Sequence, residues 1–425
     1  MITSSALAGK SYAVYGLARS GLATVKALLA SGASVIAWDE RADARAALPS
    51  SVRVADPLTT AVYGCFGIVV SPGVPINRHP IATRARQAGV PLIGDIQLFA
   101  QARASLPRHK VVGITGTNGK STTTALVHHI LQTAGVPAAM GGNIGLPILA
   151  QDPLPDGGVY VLELSSYQID LTQSLDCDVS VLLNVTPDHL DRYDGMDDYA
   201  ASKARLFAMQ SPGNVAVVAT DDDYTRAIAG QLTGERVLVS TSDVRDQSGW
   251  PALQGPHNAQ NVAASAATAE ALGIEADVIA RALATYPGLP HRMERVAEKS
   301  GILFVNDSKA TNPTSTAPAL AAYPAVHWIL GGLAKSDELD ACEPYLDHVR
   351  AAYTIGEAGP MFARLLRDKV EVNECEVLER AVGAAAGQAR PGETVLLSPA
   401  CASFDQFKDY ESRGEAFRAL VEALA

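Results

Sequence analysis

Chemistry is most legible in the run "VVGITGTNGKSTTTALV", Val111 to Val127. Gly119-Lys120-Ser121 is the ending of a phosphate-binding loop, but the common G-x-x-x-x-G-K-[ST] spacing places a glycine where this chain has Ile114. Gly113 comes one residue too early and Gly116 two too late. The context still fits: a buried-type strand, a glycine turn through Gly116, Thr117, Asn118 and Gly119, then a helix beginning near Lys120. Backbone N–H groups in such a turn and at the helix start cradle phosphate oxygens. Lys120 adds a point charge for the terminal phosphates, and Ser121, followed by Thr122, can ligate magnesium. The plainer reading, a glycine turn with an exposed lysine, does not account for strand, turn and helix together.

Other polar residues stand just past apolar runs. "VLELSSYQ" ends on Glu163, a plausible magnesium ligand beside the loop, with Ser165 and Ser166 able to cap the next helix. "LLNVTPDHLDRYD" brings His189, which with Asp188 to orient its imidazole suits a second metal; most of the other charges there read as solvated loop. Lys203 in "ASKARLF" reads from residue type alone as an exposed helix lysine. Asn258 and Asn261 open a helix, as caps or as nucleotide contacts. Gly16-x-Ala18-x-x-Gly21 is a degenerate dinucleotide fingerprint, with Asp39 at the distance of a ribose contact. Its missing middle glycine argues against pyrophosphate bound in the NAD manner, and a tight strand-to-helix turn explains it equally well. Arg292 lies at a hinge near Pro290, and Asp307, Lys309, Thr311, Lys335, Ser403 and Tyr410 follow later strands, as turn chemistry or as a second substrate site.

These residues need elements to hold them. Short β-rich runs alternate with helical patterns in three blocks, which predicts an α/β protein of three domains. Each is built on a mainly parallel sheet flanked by helices: a Rossmann-like domain over 1–98, a P-loop-type ATPase domain over 99–288 and a Rossmann-like domain over 289–425. At 425 residues the chain is too long for one core. The 48% hydrophobic and 19% charged content is that of a folded soluble protein, and the net charge of −11 argues against a nucleic-acid-binding surface. Five scattered cysteines fit reduced thiols in a cytoplasm. No signal peptide and no membrane insertion are expected.

The motifs "GITGTNGKST", "GGNIG", "LELSSYQ", "NVTPDHLDRY", "SKARLF", "HNAQN", "LPHRME", "NDSKATN" and "LLSPACASFDQF" occur in the order seen in the Mur ligases. The chain resembles that family over essentially its whole length. "SPACASFDQF" and the Gly16 to Gly21 start are most similar to its D-glutamate-adding members. The resemblance implies a monomeric, cytoplasmic ligase of peptidoglycan synthesis that joins D-glutamate to UDP-N-acetylmuramoyl-L-alanine through an acyl phosphate made with ATP. By motif position, Gly116, Thr117, Asn118, Gly119, Lys120, Ser121, Thr122, Asn258, Asn261, Arg292 and Asp307 would contact ATP. Ser121 and Glu163 would hold one Mg2+, and His189 with Lys203 a second. In the family the lysine matching Lys203 carries carbon dioxide as a carbamate. Ala18, Arg19, Asp39, Arg41, Ser71 and Gly73 would hold uridine diphosphate, and Asn143, Ser165 and His189 the muramoyl-alanine end. Lys309, Thr311, Lys335, Ser403 and Tyr410 fall to D-glutamate, with Lys120, Glu163, His189, Lys203 and Lys309 as the catalytic set. Tyr410 departs from the phenylalanine of the family pattern; its hydroxyl would bind a carboxylate or face water. A relative using another amino acid or a folate-like acceptor is the nearest rival, and a non-catalytic nucleotide-binding protein a more distant one.

Overall fold

The computed structural model describes residues 1–188 and 191–424, so His189 lies outside the described residues. The chain forms two compact units, Met1–Ser240 with Asn261–Ala282, and Thr241–Gln260 with Leu283–Ala425.

The first unit carries two sheets, both parallel throughout. One has five strands in the order Arg53–Val54, Ser34–Trp38, Ser11–Tyr15, Gly67–Val70, Leu92–Ile93. The other has six: Arg236–Val239, Val215–Ala219, Val179–Leu182, His109–Thr115, Gly158–Glu163, Ala138–Gly142. Central strands here are continuous apolar runs because helices cover both faces: Val111, Val112 and Ile114 are wholly buried, as are Tyr160, Val161 and Leu162. In each sheet the first strand of the chain lies inside, so strand order reverses about it. The crevice beyond its carboxyl end is where such sheets take ligands. Gly16 follows one of these strands and the Gly116–Gly119 turn the other.

Between these sheets the chain is closely sewn within the unit. The Gly94 N–H donates to the Leu171 carbonyl at 2.9 Å, and the Gln97 amide oxygen accepts from the Gln173 and Ser174 N–H groups. Arg192 donates to the carbonyls of Pro72 and Val74 and stacks on Tyr167, 4.0 Å from the ring centre.

The second unit holds a six-stranded sheet in the order Glu294–Lys299, Ile302–Asn306, Thr394–Leu397, Val326–Gly331, Val349–Ile355, Glu371–Glu376. Only the first pair is antiparallel. Trp328, Leu330 and Leu396 pack on one face and Phe304, Ile329 and Tyr353 on the other. The α/β class with mainly parallel, helix-flanked sheets is the one expected.

Candidate active site

The loop after His109–Thr115 is held open by its glycines. Gly116 has φ 153° and Gly119 φ 82°, and a β-carbon on Gly119 would overlap the Asn261 amide oxygen. From the next strand end Asn184 grips the turn: its carbonyl accepts from the Thr117 N–H and its side-chain oxygen from the Asn118 N–H, at 2.9 and 2.8 Å. The helix Lys120–Thr133 then starts without a side-chain cap, and a helix N-terminus is where anions are favoured. Thr122 lies half-buried in that first turn, while Thr123 donates to Asn261 at 3.2 Å. Asn261 is thereby brought to the loop. Asn258, one turn earlier on the helix Pro256–Ala271, donates instead to the Gln254 carbonyl.

Two lysines converge on this turn. Lys120 Nζ donates to the carbonyls of Gly116 and Thr117 at 2.9 and 2.7 Å, and Lys203 Nζ donates to the same Gly116 carbonyl at 2.9 Å. Lys203 is 1% exposed, which corrects its reading as a surface lysine: the helix Met196–Ala208 turns it inward, with its ammonium 4.4 Å from the centre of the Tyr199 ring. Burial, and then the nearby Lys120 charge, push its pKa well below the ordinary lysine value, against the pull of Asp188 and Asp170.

Glu163 ends the strand beside the loop and is buried. Ser121 Oγ donates to Glu163 Oε2 at 2.7 Å and Asn143 Nδ2 to Oε1 at 2.9 Å. Among the described residues no three His, Cys, Asp or Glu side chains converge as a metal cage. One buried carboxylate and one hydroxyl, next to a phosphate cradle, is nevertheless a donor set that fits magnesium. That ion takes few protein oxygens and completes its shell with phosphates and water. Ser165 caps the helix Ser166–Asp170, accepting from the Gln168 N–H, while the Gln168 side chain accepts from Ser165 in return.

At the edge of the five-stranded sheet, Asp39 accepts from the Leu17 and Arg41 N–H groups at 2.7 and 2.9 Å. Burial opposes its ionisation, but those donors and the Arg41 charge outweigh it and its pKa falls. Ser71 Oγ donates to the Gly16 carbonyl at 3.0 Å. Ala18 is the exposed residue preceding the helix Arg19–Ala30, whose start has no side-chain cap. Arg19 reaches the Gly145 carbonyl at 3.1 Å, and Arg41 and Gly73 are exposed nearby in sequence.

In the second unit Asp307 is buried, accepting from the Met293 N–H and from Ser398 Oγ at 3.1 and 2.8 Å. Burial raises its pKa to about 7, against the lowering effect of those two donors and of Arg292. Lys309 Nζ lies 4.2 Å from the centre of the Tyr410 ring. Burial, then a hydrogen bond with Glu411, pushes the Tyr410 hydroxyl up to about 12. Ser403 is buried, Thr311 half-buried and Lys335 exposed.

Residues 114–252 match the Mur ligase middle domain and residues 291–401 the Mur ligase, glutamate ligase domain. The chain is 64% identical to the UDP-N-acetylmuramoylalanine--D-glutamate ligase of Novosphingobium aromaticivorans, covering all of this chain and 97% of that protein. It is 58% identical to the enzyme of the same name from Zymomonas mobilis, with both chains covered in full. The chain belongs to the Mur ligases. Among solved structures, the Mur fold recurs in UDP-N-acetylmuramate-alanine ligase from Thermotoga maritima, with TM-score 0.60 at 17% identity, over 97% of this chain and 99% of that one.

In this Mur ligase, tertiary packing adds Tyr199, which residue type did not single out, and shows what Asn184 does at its strand end. Tyr199 flanks Lys203 and shares a 3.2 Å hydrogen bond with Thr117, and Asn184 shapes the loop. Asn184 had a signal, its place at a strand end; Tyr199 had none. His189 is outside the described residues.

Proposed function

We propose that this Mur ligase is an ADP-forming enzyme that joins the amine of D-glutamate to the carboxylate of UDP-N-acetylmuramoyl-L-alanine, as a cytoplasmic monomer making peptidoglycan precursor. The observation that carries the substrates is the 58–64% identity, over the whole chain, to ligases named for D-glutamate. Five cysteines without a disulfide, and no helix among the described residues long and apolar enough to cross a membrane, support the compartment. We assign residues 1–98 to the UDP-substrate, 99–288 to ATP and 289–425 to the amino acid.

A carboxylate resists attack by an amine, so it must first receive a leaving group. The glycine turn that Asn184 shapes, the helix start that follows it and Lys120 hold the phosphates of ATP, with Asn261 bracing the turn. The γ-phosphoryl group passes to the alanyl carboxylate, giving ADP and an acyl phosphate. The glutamate amine then adds to its carbonyl carbon, the tetrahedral intermediate expels phosphate, and the amine proton leaves to give the amide. Negative charge accumulates throughout, and Lys120 and the helix start are placed to stabilise it. Ser121 and Glu163 would hold one Mg2+, and His189 with a carbamate on Lys203 a second; these ions supply charge neutralisation at the phosphates. The carbamate is supported by burial: desolvation disfavours the Lys203 ammonium and lowers its pKa, and carbon dioxide reacts with the neutral amine. That amine forms an N–C bond to carbon dioxide and releases one proton. The product is a carboxylate that still has an N–H for the Gly116 carbonyl.

Substrate omission tests this reading. ADP release is expected to require ATP, the UDP-substrate and D-glutamate together, with L-glutamate inactive. Amide formed without ATP, or with another amino acid in preference, would overturn it.

A further inference from the structure

Arg413, in the helix Tyr410–Ala423, is 1% exposed, yet among the described residues no carboxylate pairs with it. A buried guanidinium is costly unless its donors are satisfied, and here three carbonyls and one hydroxyl satisfy them. Nε donates to Ser308 Oγ at 3.0 Å, Nη2 to the carbonyls of Ser308 and Cys401 at 2.8 and 3.0 Å, and Nη1 to that of Ala402 at 3.4 Å. The Ser308 hydroxyl passes the connection on, donating to the Tyr410 carbonyl at 2.8 Å. Ala402 pairs in turn with Leu333, N–H to carbonyl in both directions, at 2.9 and 3.0 Å. Gly332 has φ 129°, and a β-carbon there would overlap the Ala402 carbonyl.

One side chain thus ties the segments after three strands: Ile302–Asn306 and Thr394–Leu397 directly, and Val326–Gly331 through Ala402. Lys309 follows Ser308, Ser403 follows Ala402, and Tyr410 is the residue whose carbonyl Ser308 holds. We propose that Arg413 is a positioning residue for the amino-acid substrate. Its fork fixes the loops that bear Lys309, Ser403 and Tyr410, and so the geometry in which they meet a dicarboxylate. This rests on the D-glutamate reading above. A lysine cannot do the same work, because it offers a point charge in place of a planar fork. Burial lowers the guanidinium pKa only to about 10, so the charge persists at neutral pH.

The test is steady-state kinetics on the full chain with each substrate varied in turn. Arg413→Met is expected to raise KM for D-glutamate about 10- to 100-fold. KM for ATP and for the UDP-substrate should stay within about 2-fold. Arg413→Lys should fall between, since charge returns without the fork. Ser308→Ala, which removes the relay to Tyr410 and the acceptor of Arg413 Nε while leaving the carbonyl contacts of the fork, should raise the same KM about 3- to 10-fold. It decides the matter if Arg413→Met does not fold. Equal changes in all three KM values, or a lower kcat with KM for D-glutamate unchanged, would reduce Arg413 to a general structural role. A wild-type chain that releases ADP without regard to D-glutamate would instead sink the functional reading.

Discussion

Lys203 and Arg413 are both about 1% exposed and both donate to backbone carbonyls, yet their surroundings point to opposite uses. Among the described residues Lys203 donates to one carbonyl, that of Gly116, and sits by the Tyr199 ring and a second lysine, with the charges of Asp188 and Asp170 pulling the other way. Desolvation there disfavours the ammonium and lowers its pKa well below the ordinary lysine value. Arg413 has four oxygen contacts and keeps its charge, because guanidinium starts so high that burial still leaves it protonated. A buried lysine with one partner is a reactive group; a buried arginine with a full set is a fixture. The first serves a site where chemistry happens, the second a site where a shape must be kept.

The largest expected effect breaks the lysine half of this contrast. Lys203→Arg keeps a cation but cannot become a carbamate, and Lys203→Ala removes both. Each should lower kcat by about 10³-fold or more. A small carboxylate such as acetate should restore part of the activity of Lys203→Ala, and none of Lys203→Arg, whose side chain fills the space. Near-normal turnover of Lys203→Arg would show that the positive charge, and not a modified amine, is what the loop requires.

Next in size is a test of the loop itself. Gly119→Ala forces a side chain at φ 82° and against the Asn261 amide oxygen. About 1–2 kcal/mol of backbone strain follows from the left-handed conformation alone. ATP binding is expected to weaken about 10-fold or more, because the turn must shift to relieve the overlap. Fluorescent-nucleotide titration reads this directly. Unchanged affinity would mean that the Gly119–Asn261 contact is not part of the nucleotide site.

These contrasts explain what was legible beforehand. The phosphate loop could be read because its chemistry is local: glycines, lysine and serine follow one another, and strand and helix flank them. Central strands such as Val326–Gly331 could be read because burial on both faces leaves an unbroken apolar run. Edge strands could not. Arg53–Val54 is two residues long, and Ala138–Gly142 is alanine and glycine around one methionine, so neither carries a β-rich pattern. Lys203 looked exposed because only the packing of Tyr199 and the loop buries it. Arg413 gave no signal at all, since its partners at Ser308 lie 105 residues away. Ser165 shows a third case: capping and ligand contact were rival readings, and the cap is formed while leaving the second open.

The smallest effect carries the comparison from buried cations to buried acids. Asp307 and Asp95 both have raised pKa values, to about 7 and about 6, and burial is the first cause of each. Asp307 is held by Ser398 and Met293 among candidate site residues, whereas Asp95 opens the helix Asp95–Ala102 at the seam of the first unit, bonded to the Ile96 N–H. Its carboxyl therefore costs stability without an evident return. In the unfolded chain it ionises near pH 4, in the folded chain near pH 6. The acid form is favoured by folding, so its contribution is fully present below pH 4 and is lost as pH rises through 6. Asp95→Asn keeps an acceptor for the Ile96 N–H and removes the titration. Urea unfolding should therefore show the variant gaining on the wild type by about 1–2 kcal/mol between pH 5 and pH 8. A constant difference across that range would mean that Asp95 stays ionised in the folded chain, and that the seam is wet enough to solvate it.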